Sequence, residues 1–204
     1  MVICISNRDI SFDDIVNICL KTKNNNQYKT NYYSIWKRKI EFFEKYYYDY
    51  YKKEEYDFEY YNGLSYNALN IVKMINYLNI TYGLSYNRFY NIKTMYDLDN
   101  PLYKKYGPII NSIGEYIKYE YFFKNKEVNY EKIFDIPLTI DDYYYLVARL
   151  LFPTYFYDLF KNNEKYDLIS NYIYGYISYV KRIIIEIKKR HNNMSLLESI
   201  INQL

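Results

Sequence analysis

The chain has 204 residues, 33 of them tyrosine, and its 27 basic against 24 acidic side chains give a formal charge of +3. That length permits one sizeable hydrophobic core, and so balanced a charge argues against a dedicated binder of nucleic acid or anionic membranes. Two cysteines, Cys4 and Cys19, and one histidine, His191, are too few for a zinc cluster or a disulfide framework.

Targeting signals and membrane spans are absent from the sequence pattern. No uninterrupted apolar stretch of about 18 residues occurs, and the first nine residues lack the basic and then apolar order of a signal peptide. We therefore expect an intracellular protein without a transmembrane segment. Two explanations fit the many tyrosines. They are large core residues whose codons an A/T-rich genome favours, or they form a surface for protein contacts.

Helix signals dominate the first 80 residues. Ser11 is a good N-cap for a helix from Phe12 to about Lys21. After a polar break at 23–27, a long helix is expected from about Tyr32 to a stop at Asn62-Gly63, and another from Ser65 to Asn79. The expected buried face of the long helix, at three-and-four spacing, comprises Ile35, Trp36, Lys39, Ile40, Phe43 and Tyr47.

The centre of the chain changes character. Residues 81–107 are rich in turn residues, with short β-capable runs between them. One pentapeptide, Gly-Leu-Ser-Tyr-Asn, occurs at 63–67 and again at 83–87. Two copies do not make a repeat protein, which needs several stacked units.

Helix signals return after residue 108. They predict a helix from Ile109 to about Lys124, a short helical piece that ends at Ile136-Pro137, and a helix capped by Thr139 that stops at Pro153. A long amphipathic helix is expected over about 166–189, and Ser195 should cap a last one to Gln203. The expected buried stripe of the long helix comprises Leu168, Ile169, Tyr172, Ile173, Tyr176, Ile177, Val180, Ile184 and Ile187.

Catalytic and ligand-binding patterns are weak. The sequence contains no P-loop, no dinucleotide fingerprint and no nucleophile elbow. His191 ends a helix, and the basic stretch 181–190 is best explained as a solvated helix face. The acidic pairs fit helix starts or solvated faces better than metal sites: Asp13-Asp14, Glu54-Glu55 and Asp141-Asp142.

Three motifs resemble a known family. The segment 148–156, Ala-Arg-Leu-Leu-Phe-Pro-Thr-Tyr-Phe, is similar to the C-terminal lobe of spore-coat kinase-like proteins of the CotS and YutH type. The segments 113–118 and 36–40, the second followed by Asn67-Ala68-Leu69, resemble further motifs of that family in the same order. The resemblance covers about residues 32–160 and implies the helical C-terminal lobe of an aminoglycoside and choline phosphotransferase fold.

The departures from the family concern its catalytic groups. A phosphotransferase of this fold needs a carboxylate for the substrate hydroxyl and an Asp for magnesium. By the resemblance, Tyr86 stands at the histidine of the catalytic loop, Gly107 at the metal-binding Asp, and Asn111-Ser112 at a later Arg-Asp pair. Nearby carboxylates are Asp97 and Asp99, which also suit a turn. Arg149, Phe152 and Pro153 then look like packing and helix-ending positions.

The sequence therefore predicts a mainly α protein with a short irregular or β central segment. We expect an N-terminal segment at 1–30, a kinase-like helical lobe at 31–190 and a C-terminal helix at 191–204. No catalytic, cofactor-binding or metal-binding residue is assigned. The expected function is that of a non-catalytic spore-coat or assembly protein with protein partners and no nucleic acid. Two alternatives stay open: a residual magnesium- and nucleotide-dependent phosphotransferase, and a helical interaction protein of an A/T-rich virus or parasite.

Overall fold

The structure is a computed structural model that describes residues 9–23, 32–53, 58–86, 89–92, 94–159 and 163–204. It is mainly helical with one small antiparallel sheet, as the sequence predicts. The α-helices are α1 (Phe12–Lys21), α2 (Tyr32–Lys53), α3 (Phe58–Met74), α4 (Ile109–Lys124), α5 (Ile140–Leu151), α6 (Thr154–Leu159), α7 (Asn163–Arg190) and α8 (Ser195–Gln203). Within these described ranges, none of the helices has the length and apolar character needed to cross a membrane.

The sheet is a two-stranded hairpin in the central segment. Strand β1 (Tyr82–Tyr86) pairs antiparallel with β2 (Lys104–Pro108), and Gly83 lies opposite Gly107. Short 3-10 turns lie near the strands at Tyr77–Asn79, Phe89–Asn91 and Asp97–Asp99, and another, Tyr130–Asp135, lies between α4 and α5. The short β-capable runs expected between turns are confirmed by this hairpin.

The chain divides into two compact units. Unit 1 comprises residues 1–29 and 76–146, and unit 2 comprises 30–75 and 147–204. In unit 1, α1 and β1 both pack on α4. Its core lies between them and includes Ile15, Cys19, Ile110, Ile113 and Ile117.

The core of unit 2 is largely aromatic. The Trp36 ring stacks on Phe152 with centroids 4.4 Å apart, and Tyr61 stacks on Phe156 at 4.3 Å. Burial of such large rings, together with their mutual contacts, is a main source of stability in a helical core. Ser65 shares a 2.8 Å hydrogen bond with the Tyr157 hydroxyl inside this core.

Local capping explains the helix starts that the sequence predicted correctly. Ser11 and Asp14 form a reciprocal capping box at α1. Thr139 and Asp142 do the same at α5, where each backbone N–H donates to the other side chain at 3.0 Å. The carboxylate of Asp142 also accepts from the Thr81 backbone and hydroxyl, at 2.9 and 2.7 Å.

Several expected boundaries are wrong. Helix α3 begins at Phe58 and passes through Asn62-Gly63, so the stop expected there does not occur. The helix expected to run to Asn79 ends at Met74, and Ser195 is the first residue of α8, not its cap. The short helix α6 was not predicted, although the resemblance covers its residues.

Most of the expected buried faces are confirmed. On α2, Trp36, Ile40 and Phe43 are buried, but Ile35 is 44% exposed. On α7, the expected stripe is buried from Ile173 to Ile187, but Tyr172 is 40% exposed. The described part of the structure does not include Glu54-Glu55, Cys4, Asn87 or most of the polar break at 23–27. Nor does it describe the side chains of Tyr47, Leu168 and Ile169, which the expected faces include.

Candidate functional site

The residues that the resemblance places at catalytic positions meet where β1 ends and α4 begins. We call Ser85, Tyr86, Gly107, Asn111 and Ser112 the strand–helix junction. The Ser112 hydroxyl accepts from the Tyr86 backbone N–H at 2.8 Å. The Asn111 amide donates to the Ser85 hydroxyl at 2.9 Å and to the Tyr86 carbonyl at 3.3 Å. These bonds fix the first turn of α4 to the strand.

The junction is buried and has no carboxylate among its five residues. Ser85, Tyr86 and Asn111 are each 2% exposed, and Ser112 is fully buried. Burial raises the pKa of Tyr86 to about 12, so its phenol is neutral at physiological pH. Cys19 packs next to the junction and donates from Sγ to the Ile109 carbonyl at 3.6 Å. Burial raises the pKa of that thiol to about 12 as well, so it is a poor nucleophile.

Asp97 and Asp99, the nearest candidate carboxylates, make local contacts. Asp97 accepts from the Thr94 backbone and hydroxyl at 2.9 and 3.2 Å and thereby closes its own turn. Asp99 pairs with Lys104 at 2.9 Å on an exposed edge. Across the part of the chain that the structure describes, no three His, Cys, Asp or Glu side chains are grouped as a metal would require.

The end of α7 carries the basic residues that the sequence singled out. Glu186 pairs with Arg190 at 2.9 Å and with Lys189 at 3.5 Å, and the Arg190 hydrogen bond holds the pKa of Glu186 below its usual range. Lys188 pairs with Glu198 of α8 at 2.9 Å. His191 follows the helix and donates its backbone N–H to Ile187. Part of this positive charge is therefore compensated by neighbouring carboxylates.

A cavity of about 710 Å³ lies within unit 1. Its walls come from the start of α1, from the 3-10 turn at 89–91 and from α4 with the loop that follows it. We refer to it as the unit 1 cavity. Its lining residues are Asp9, Ile10, Ser11, Phe12, Asp13, Phe89, Ile92, Tyr116, Tyr119, Glu120, Lys124, Lys126, Glu127, Val128, Asn129 and Lys132.

Specific contacts shape this cavity. The Tyr116 hydroxyl donates to the Ile10 carbonyl at 2.7 Å, which fixes the chain just before α1 against α4. Lys132 pairs with both carboxylate oxygens of Asp13, at 2.6 and 2.7 Å. Asn125, the residue that caps the C-terminus of α4, is in the left-handed region with φ at 49° and turns the chain into the cavity's outer wall.

The unit 1 cavity was not predicted from the sequence. Its lining residues are spread over residues 9–132 and form no motif with a recognisable spacing. The sequence also missed the buried ion pair between Glu115 and Lys118, which lie one turn apart on α4 and are 0% and 1% exposed. Only the three-residue spacing of opposite charges signals that pair, and that spacing is common on exposed helix faces.

Comparison with known proteins gives no family: no family model, no curated protein and no solved structure matches the chain.

Proposed function

We propose that the chain acts without catalysis, through contacts with other proteins, and that it does so in a spore coat or during coat assembly. The observation that carries the proposal is the strand–helix junction. Its polar side chains are used in holding β1 to α4. The coat setting comes from the sequence resemblance.

The junction is poorly suited to phosphoryl transfer. Such a reaction needs a carboxylate near the acceptor hydroxyl and another on magnesium. Asn111 and Ser112 cannot ionise to serve as either, and the Asn111 amide N–H and the Ser112 hydroxyl already bind Ser85 and Tyr86. Asp97 holds its own turn and Asp99 pairs with Lys104. Magnesium would compete with these contacts for the two carboxylates.

Exposed aromatic side chains support the protein-contact part of the proposal. On α2, Phe42 and Tyr46 are 50% and 58% exposed, and their ring centroids lie 4.8 Å apart. Aromatic residues are enriched at protein interfaces because they bury large areas with few rotatable bonds. The Lys45 ammonium lies 5.0 Å from the Tyr46 ring and adds a charge beside the pair.

A thermal-shift titration tests whether the chain binds a nucleotide, as the phosphotransferase alternative requires. We expect ATP and GTP, with or without magnesium, to leave the melting temperature unchanged, because ligand stabilisation requires binding to the folded state. A magnesium-dependent rise that disappears in the Asp97→Asn, Asp99→Asn double variant would instead support the phosphotransferase alternative. The ligand-free melting temperature of that variant must be recorded, because Asp97 also closes a turn.

A retention assay on isolated spore coats tests the proposed role in the spore coat. We expect the labelled chain to be retained on washed coats, and the Phe42→Ser, Tyr46→Ser variant to be retained several-fold less. Leu102→Ser is the matched control, because Leu102 is 80% exposed in the other unit. A folded chain that is not retained would contradict the coat setting. Equal loss in variant and control would contradict a role for the α2 ring pair.

A further inference from the structure

The unit 1 cavity has one buried charged side chain in its lining. Glu120, on α4, is 8% exposed, whereas Asp9 and Asp13 at the rim have side chains 88% and 56% exposed. A carboxylate removed from water is costly unless a cation or hydrogen-bond donors compensate it. Among the described residues, no lysine or arginine lies within ion-pair distance of Glu120.

Two of the three lysines that line the cavity contact groups other than Glu120. Lys132 pairs with Asp13, and Lys124 lies 3.9 Å from Asp9 and 5.9 Å from the Tyr119 ring centroid. The lining holds four carboxylates and three ammonium groups, one negative charge in excess. The Glu120 carboxylate contacts the Tyr116 hydroxyl but has no cationic partner among the described side chains, so the interior favours a positive ligand.

Aromatic rings form the apolar part of the same wall. Phe89 meets Tyr116 edge-on with centroids 5.3 Å apart, and Phe12 lies 6.0 Å from Tyr116. Tyr119 completes the group at 6.2 Å from Tyr116. Ring faces attract cations at such sites. Burial, and next the charge of Glu120, raise the pKa of Tyr116, so this phenol stays neutral and does not compete as an anion.

We propose that the unit 1 cavity binds a small organic ammonium ion, with its charged nitrogen against the Glu120 carboxylate and its apolar part among Phe12, Phe89 and Tyr116. The volume of about 710 Å³ lies within the range of small-molecule sites, about 300–1,000 Å³. This site is separate from the strand–helix junction and does not depend on the function proposed above.

Calorimetric titration with 2-phenylethylamine tests this site on the unaltered chain. The neutral isostere 2-phenylethanol and the anion 3-phenylpropionate are the matched probes. We expect the amine to bind at least about tenfold more tightly than the alcohol, a difference that corresponds to one ion pair of about 1.4 kcal/mol. Equal affinity for amine and alcohol, tighter binding of the anion, or no binding of the amine at millimolar concentration would overturn the proposal.

Two substitutions test which carboxylate of the cavity binds the ammonium ion. Glu120→Gln keeps the size of the side chain and removes its charge, and we expect it to weaken amine binding about tenfold while leaving alcohol binding unchanged. Glu127→Gln, an exposed carboxylate on the same cavity, should change the affinity by less than about threefold. An unchanged affinity in Glu120→Gln would contradict the assignment. If that variant does not fold, the relative affinities of the three probes for the unaltered chain still test the proposal.

Discussion

At the scale of single residues, Gly63 and Gly83 begin identical pentapeptides but have opposite surroundings. Gly63 lies within α3, is exposed, and a Cβ there would meet nothing within 4 Å. Gly83 lies in β1, where a Cβ would come within 2.8 Å of Ile109 Cγ2 and 3.0 Å of the Thr22 carbonyl. Only the second glycine is required by close packing.

We therefore expect the same substitution to act with opposite sign at the two positions. Gly63→Ala should stabilise the chain by about 0.5–1 kcal/mol, because alanine is the better residue in a helix interior. Gly83→Ala should destabilise it by about 1–3 kcal/mol through overpacking. Urea unfolding followed by circular dichroism measures both. A stabilising Gly83→Ala would show that Thr22 and Ile109 yield without cost.

At the scale of elements, the repeated pentapeptide shows why local signals predict some boundaries and miss others. The same four letters, Gly-Leu-Ser-Tyr, are helical at 63–66 and extended at 83–86. Tertiary packing decides between them, since Ser65 and Leu64 are buried in one unit and Ser85 bonds Asn111 in the other. Intrinsic propensity is a weak guide wherever burial differs in this way.

Helices with a strong cap were predicted well because their start signals are local. The starts of α1 and α5 depend on side chains three residues apart, which a sequence displays directly. The unit 1 cavity depends on residues from 9 to 132 and could not be read from spacing. The strand–helix junction was predictable in part. The resemblance singled out most of its residues, but the sequence did not predict their hydrogen bonds.

The segment between α5 and α6 contains a residue that tests how the helices of unit 2 pack. Phe152 is 1% exposed, stacks on Trp36 and lies 5.4 Å from the Tyr157 ring. We expect Phe152→Ala to lower the free energy of unfolding by about 3–5 kcal/mol. Urea unfolding followed by the fluorescence of Trp36, the chain's one tryptophan, reports on this unit. Phe42→Ala, at a half-exposed position, should cost about 0.5 kcal/mol. Similar midpoints for the two variants would contradict this account of the core.

At the scale of the whole molecule, the tyrosines are divided between the cores and the surface. Some fill the cores with ring and hydroxyl both buried, as Tyr61, Tyr145 and Tyr179 do, each 0% exposed. Others lie at the surface, among them Tyr96 at 69% and Tyr174 at 60%. Burial of a phenol or thiol has a consequence for stability at high pH, because burial favours the neutral form of such a group.

We therefore expect the chain to lose stability as pH rises above about 9. Burial raises the pKa of Cys19 and of Tyr86 to about 12 each, and raises the pKa of Tyr116 and Tyr157 above the usual tyrosine value. Unfolded thiols and phenols titrate near 8.5 and 10. Between these values the folded state holds more protons, so the free energy of unfolding falls by up to about 1.4 kcal/mol per pH unit for each such group. Below pH 8 this contribution is complete.

Urea midpoints measured from pH 8 to pH 11, with absorbance at about 295 nm to follow phenolate, would test this alkaline loss. Tyr86→Phe removes one ionisable hydroxyl and should make the fall in stability above pH 10 less steep. Tyr96→Phe, at a side chain that is 69% exposed, is the matched control for the loss of one phenol hydroxyl. A flat stability profile up to pH 11, or phenolate formation that is complete before unfolding, would mean that solvent reaches the buried hydroxyls in the folded chain.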